Sequence, residues 1–447
     1  VWRDALRWLV FGAAAALVAL QLFVPPVIGL SDQGDFRRMI GRFGYSPEDK
    51  LMPLSAGFVQ AKYVRDPSSR IPVLEQAGPE YLFVGSAIVL NRLISKDGSL
   101  DIRMIGFVHA VAFLAAFAWL LSVTGPLTWI VALIVLTDVG YVAYWNSFYT
   151  EPATCIAFLL LASESVGMCR GKISAMQLGR WCLWAALLVW AKSSNYPLAV
   201  VLAPFALYLG WRAKSTRLAA VLGACAIAAT AIVTMWTRPK PMQQATTYNS
   251  IFMAILPESH TPAEDLKELG LDPRLVSFSG SGAWTERTAF PDLYGGVLLH
   301  DVTGATVARF YLRHPTRIWR RTRSLMPTAF SLRPEWCGNF ESSARRPPGA
   351  KAQNCTLWSR FHERILARLG RFLLIAVAIS PVIFIALRFR FPARSAQFDF
   401  VTVLSACALI AFLTAACGDA WDNVKHMFLF NLLLDAWLIS LVQFGKL

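Results

Sequence analysis

Two carboxylates, Asp32 and Asp35, stand at the mouth of a hydrophobic stretch that runs from about Leu6 to Leu30, with Arg37 and Arg38 directly behind them. Acidic groups at the edge of a bilayer span desolvate at a cost and usually have a task, such as taking a proton from a reacting hydroxyl. Asp35 also fits the N-cap of a short helix ending at Ile40, which leaves Asp32 free for chemistry. A second cluster, Tyr144 to Pro152, joins two apolar segments with almost no linker. Its Glu151 is either a site residue or a helix-start acid ahead of Pro152. A third cluster, Lys192-Ser193-Ser194-Asn195-Tyr196, sets a cation in an apolar region. That lysine either snorkels to the interface or meets an anion such as phosphate. A fourth, Asp419 to His426, brings Asp422, Lys425 and His426 into one turn between apolar runs. Arg309, Arg313, Arg317 and Arg320 or Arg321 recur at helical spacing, a cationic stripe suited to anionic head groups or to a phosphate-bearing lipid.

Membrane helices must position these clusters. The chain is 55% hydrophobic with mean hydropathy +0.47. Apolar runs at roughly 6–26, 104–123, 127–145, 152–168, 181–194, 197–211, 218–236, 366–387, 398–417 and 427–444 give about ten crossings. The first is read as a retained span. The 14 residues Tyr81–Ile94 are too short to cross and suit an interfacial helix. Arg170, Lys172 and Arg180, then Arg212, Lys214 and Arg217, then Arg388, Arg390 and Arg394 fall in short loops on one side. Positive loops mark the cytoplasm, so both termini lie inside and all four polar clusters gather at the outer face. The long loop 237–365 lies outside despite its arginines, since the charge rule weakens for long loops. The chain thus divides into a transmembrane module 1–236 with first outer loop 31–103, a loop lobe 237–365 and C-terminal helices 366–447. Within the lobe, Pro262–Leu269 has helical composition, and Val302–Trp319 reads as a helix interrupted near Pro315.

The formal net charge of +15 belongs with lipid head groups and topology here, not with nucleic acid. Walker A, GxGxxG, HExxH and paired CxxC patterns are absent from the sequence. Cys337 and Cys355 sit in polar outer-loop sequence and are expected to bridge in an oxidising compartment.

Four short runs complete the reading: Asp32-Gln33-Gly34-Asp35-Phe36, Asn146 to Pro152, Phe310 to Pro315, and Lys425-His426-Met427-Phe428. Together with the span pattern they resemble the GT-C class of integral membrane glycosyltransferases, in particular bacterial hexose transferases of surface-glycan assembly. The resemblance is more distant to protein O-mannosyltransferases and lipid A aminoarabinose transferases. It implies an all-α polytopic bundle with interfacial helices and a periplasmic lobe, in the bacterial inner membrane. It also implies a polyprenyl-phosphate-linked sugar donor, a glycan, lipid or protein acceptor, and inverting transfer at the periplasmic face. Asp32 would be the catalytic base, and Lys192, Lys425, His426 and Arg313 would hold the donor phosphate. Asp35, Glu151, Asn195, Tyr196 and Asp422 would orient the acceptor. No cofactor is required, although Asp35 and Glu151 could hold Mg or Mn. Two other classes stay open: a transporter or flippase for lipid-linked glycans, which would need charges deep within spans or an inverted repeat, and a non-catalytic binding protein.

Overall fold

The computed structural model describes residues 1–53, 56–70, 78–290 and 301–444. Helices occupy the apolar runs: Trp2–Phe23, Ile102–Val123, Pro126–Leu136, Glu151–Met168, Ala175–Ala191, Ala199–Arg212, Arg217–Trp236, Ala367–Arg390, Ser395–Gly418 and Phe428–Phe444. Among the described residues, five helical stretches are long and apolar enough to cross a bilayer: Trp2–Phe23, Ile102–Val123, Arg217–Trp236, Leu357–Arg390 and Pro392–Gly418. The chain is a polytopic helical membrane protein. Glu80–Ile94 forms a 15-residue helix, and its buried Glu80 meets His109 at 2.8 Å.

The segment read as a span over 127–145 is instead an 11-residue helix that stops at Leu136. Apolar composition could not reveal this, because a broken but buried segment is as apolar as a helix. The Thr137 hydroxyl donates back to Leu133 O at 2.7 Å, and Asp138 accepts from Gly140 N at 2.8 Å to start a new short turn. Non-helical backbone at that depth survives only where protein groups satisfy it. Gln21 donates to Thr137 O at 3.0 Å, and the Asn146 amide donates to Leu22 O and Ile28 O at 3.0 and 2.8 Å. Asn146 in turn needs a bare neighbour: a Cβ at Gly106 would stand 1.9 Å from its Oδ1.

The first outer loop carries a three-stranded antiparallel sheet, β1 (Tyr45–Pro47), β2 (Lys62–Arg65) and β3 (Leu100–Asp101), with β2 central. In the long loop, helices Gly304–Arg313 and Pro315–Leu325 meet at the expected break, and Pro262–Glu268 forms the expected helix, followed by Gly270 at φ +79°. The loop has a core of its own, centred on Tyr248, Phe252, Leu266 and Phe310. Residues from Leu325 to Cys337, however, pack into the main core. The last part of the loop 237–365 is thus built into the bundle. Backbone pairing does this: Gly29 N donates to Asn339 O at 3.0 Å, Ser31 N to Gly338 O at 3.0 Å, and Val59 N to Phe340 O at 2.9 Å.

Candidate functional site

The Asp32 loop is held by its own turn and by aromatic packing beneath it. Asp32 Oδ1 accepts from Gly34 N at 2.8 Å and Phe36 N at 3.1 Å, and Gly34 takes φ +99°, a conformation open to glycine. Phe36 then opens the short helix Phe36–Ile40 and packs edge-on against Tyr149 and Phe148, with centroids 4.8 and 5.3 Å away. The capping roles are the reverse of those expected from sequence. Asp35 occupies the N-cap position without capping through its side chain. Its two oxygens are instead taken by Arg38 and by Lys425. An ion partner 390 residues away outcompetes a local cap, and Asp32 supplies the turn contacts.

Lys425 is the hub. Its ammonium pairs with Asp35, lies 3.0 Å from Asp422 Oδ2, and sits 5.0 Å over the Tyr149 ring. Burial works against its charge, but Asp422 and Glu151 outweigh that and hold its pKa above the ordinary lysine value. Lys192 does not snorkel. Its Nζ donates to Glu151 Oε1 at 2.7 Å and to Lys425 O at 3.4 Å, and its side chain is 15% exposed. Asp35, Glu151, Lys192, Asp422 and Lys425 thus form one chain of contacts. Asp32 belongs to it electrostatically: burial raises its carboxyl pKa, while the turn amides and Lys425 pull it back down. Gln33, in the amide orientation that satisfies its neighbours, donates to Asp422 Oδ2 at 2.7 Å and accepts from Trp336. Asp422 Oδ1 is buried with no hydrogen-bond partner among the described residues.

His426 lies 3.5 Å from Asp419 Oδ2, and Asp419 Oδ1 accepts from Asn249 at 3.1 Å and Trp421 N at 3.0 Å. Two guanidiniums that the sequence reading did not assign complete the site. Arg38 feels the charges of Asp32 and Arg238, and Arg238 feels those of Asp419 and Tyr196; burial lowers both pKa values. Arg238 donates to Thr246 Oγ1 at 2.9 Å, and its Nε is buried without a partner. Its place just after the helix Arg217–Trp236 made it look like an ordinary span flank.

Three expectations are corrected. Arg313 is exposed and reaches Glu268 at 3.7 Å, so among the described residues it makes none of the contacts of the Asp32 cluster. The arginine stripe is partly consumed: Arg317 pairs with Asp265 at 2.8 Å, and Arg321 meets Glu258 at 3.2 Å and Ala416 O at 2.9 Å. The bond to Ala416 O fastens this loop to the helix Ser395–Gly418, and the other two hold the loop together. Asn195 is buried and spends its amide on Leu188 O at 3.0 Å and Thr154 Oγ1 at 3.3 Å, which locks a helix junction. Tyr196 remains beside Arg238.

Cys337 and Cys355 are both free, in place of the expected bridge. Cys337 lies under the acidic loop, with Sγ 3.6 Å from Ser31 O, and burial pushes its thiol up to about 11. Cys355 faces elsewhere along the fold, its carbonyl accepting from Val139 N at 2.9 Å. Asp35 and Glu151 each already bind a lysine, and no group of three or more His, Cys, Asp or Glu suited to a metal occurs among the described residues.

The polar groups do not all gather at one face. Asp435, inside the helix Phe428–Phe444, accepts from Tyr141 at 2.6 Å and Trp358 at 2.8 Å and meets His362 at 2.7 Å. Each of its oxygens is occupied by fixed partners, the pattern of a structural tie. At the other end of the bundle, Asp399 is shared by Arg212, Arg388 and Tyr208 at 2.7, 3.2 and 2.9 Å.

A search of curated proteins gives no match. Among solved structures, the chain is similar to the archaeal oligosaccharyltransferase AglB from Archaeoglobus fulgidus, solved in complex with an inhibitory peptide and a dolichol-phosphate. The identity is 11% and the TM-score 0.41, over 98% of this chain and 50% of that one, so the chain spans half the length of that structure. The family model described as the YfdI N-terminal transmembrane domain matches residues 5–445, and the chain belongs to that family.

Proposed function

We propose that this chain is a GT-C-type glycosyltransferase that moves a sugar from a polyprenyl-phosphate donor to a hydroxyl of a glycan, lipid or protein acceptor at the periplasmic face of the bacterial inner membrane. The observation that carries the reading is a half-buried carboxylate of raised pKa, Asp32, beside Arg38 and Lys425 at one end of a membrane bundle, with Arg238 within reach of Arg38. A base and a set of cations are what transfer from a phosphate ester needs. The acceptor oxygen attacks the anomeric carbon on the face opposite the phosphate, and its proton passes to Asp32 as the bond to oxygen forms. The anomeric carbon–oxygen bond breaks, and the electron pair leaves with polyprenyl phosphate. Inversion follows from the single displacement.

A raised pKa suits the base, because a carboxyl nearer the working pH accepts a proton more readily. Asp35 is the poorer base, since Arg38 and Lys425 hold it in ion pairs. Lys192 and Lys425 are compensated by Glu151, Asp35 and Asp422, so they set the field of the site more than they offer free charge. Arg238 makes no ion pair among the described residues and is the best-placed new partner for the leaving phosphate, with His426 and Arg38 beside it. Asp422 Oδ1, buried without a partner, offers an acceptor for a sugar hydroxyl. Charge neutralisation by these side chains leaves no step that calls for a metal.

Incubating the purified protein with polyprenyl-phosphate hexoses and pentoses and an acceptor panel tests the reading. Polyprenyl phosphate should appear in step with glycosylated product, and absence of turnover across the panel would count against it. Within that assay Arg238→Gln should raise the donor KM about tenfold or more, since a hydrogen bond to a charged group contributes about 1.5–3 kcal/mol. An unchanged KM would remove Arg238 from the donor site. Orientation is checked separately by cysteine labelling. Residues 169–180, 212–217 and 388–397 should react only from the cytoplasm and lobe positions only from outside. Label reaching 169–180 from the periplasm would invert the topology.

A further inference from the structure

A cavity of about 750 Å³ opens at the end of the bundle opposite the acidic cluster. The helix Glu151–Met168 connects the two: Glu151 belongs to the cluster, while Ser165 and Val166 line the cavity, about 20 Å further along at 1.5 Å per residue. The walls are hydrocarbon, among them Leu120, Val135, Phe158, Leu161, Phe400 and Leu432. The space lies beside the 11-residue helix Pro126–Leu136, which ends before it can fill the depth of the bundle. Its volume falls within the roughly 300–1,000 Å³ of a small-molecule site.

Arg3, Arg170 and Arg394 also line the cavity, at its mouth. Arg170 gives one nitrogen to Val123 O at 2.7 Å, and none of the three has a carboxylate partner among the described residues. The acids near this end are engaged elsewhere: Asp399 is shared by Arg212, Arg388 and Tyr208, Glu164 pairs with Arg180 at 2.9 Å, and Asp4 lies 3.5 Å from Arg7. The one acid on the wall, Asp435, is closed by Tyr141, Trp358 and His362 and does not need water. An apolar shaft with unpaired guanidiniums at its mouth has the complementarity of an amphiphile with an anionic head.

We propose that this cavity holds one acyl chain of an anionic phospholipid from the leaflet at this end, with the phosphodiester on Arg170 and Arg394 and Arg3 beside it. A single straight chain suits a space of this size better than a long branched polyprenyl tail. The site is separate from the Asp32 cluster, and its existence does not depend on the activity proposed above. Lipid held there would act as a structural ligand that favours the folded bundle.

Native mass spectrometry of the full chain, purified and equilibrated with equal phosphatidylglycerol and phosphatidylcholine, reads the site directly. One phosphatidylglycerol adduct should persist, preferred over phosphatidylcholine by about tenfold or more. Arg170→Gln with Arg394→Gln, a change at the surface, should abolish that preference. Ala162→Phe with Ala436→Phe should fill the shaft and remove the adduct. Phosphatidylglycerol should also raise the thermal midpoint of the wild type and not of the arginine variant, a readout that stands even if the filled variant fails to fold. Equal retention of both lipids by the wild type, a phosphatidylglycerol preference that survives in the arginine variant, or displacement by polyprenyl phosphate at equal concentration would each overturn the proposal.

Discussion

Asp32→Asn lowers sugar transfer by about 10²–10⁴-fold, the contribution of a positioned general base. The change should leave the loop in place, because an asparagine oxygen can still accept from Gly34 N and Phe36 N. In the wild type the rate should fall as pH drops through the raised Asp32 pKa, since only the carboxylate accepts the proton. The residual rate of the variant should lack that limb. Stability carries the opposite sign. Burial raises the folded-state pKa above 3.8, so the contribution of Asp32 to folding is fully present below 3.8 and is lost as pH rises through the folded value. At neutral pH the asparagine variant should therefore unfold no more readily than the wild type. Near-normal turnover, or a markedly lower thermal midpoint at neutral pH, would end the assignment of Asp32 as base.

The second large effect concerns folding. Glu151 is 1% exposed and is the carboxylate against which Lys192 rests. Glu151→Gln leaves that lysine without a counter-charge and withdraws support from Lys425, whose raised pKa depends partly on Glu151. Breaking one side of a buried pair costs about 3–5 kcal/mol, whereas replacing both partners by uncharged groups of similar size costs far less. Glu151→Gln should thus lower the thermal midpoint sharply, and Glu151→Gln with Lys192→Met should recover much of the loss. If the double variant is as unstable as the sum of the two single changes, the pair is not coupled and Glu151 acts only at its helix start.

The sequence was most legible where one physical rule dominates. Apolar run length placed the helices except over 127–145, and Pro315 placed the break in the lobe. It was least legible where a choice between partners depends on distant residues. Asp32 and Asp35 offer the same cap chemistry three positions apart, and only the arrival of Lys425 decides which one is left to cap. Arg317 and Arg321 kept their helical spacing, but Asp265 and Glu258 lie 52 and 63 residues away and turn half the stripe into fasteners. Asn195 sat in a polar run that suggested a site, yet a buried amide must first satisfy its own hydrogen bonds, and Leu188 and Thr154 do that. Arg38 stood in the motif from the start. Nothing in the sequence told it from Arg37 as the one that pairs with Asp35.

The pairing of Ser31 with Gly338 also has a meaning in time. Ser31 and Cys337 are separated by 306 residues, and at ribosomal rates of ~5–20 residues per second that interval is roughly 15–60 s. Throughout that wait the acidic loop has emerged without the strand of chain that backs it, and Lys425, which neutralises Asp35, is made later still. The nascent protein carries an unfinished loop, with Asp35 paired to Arg38 alone, until its final hairpin is inserted. Truncated or stalled chains therefore leave the first outer loop without its backbone partner at Gly338 and without the Lys425 ion pair.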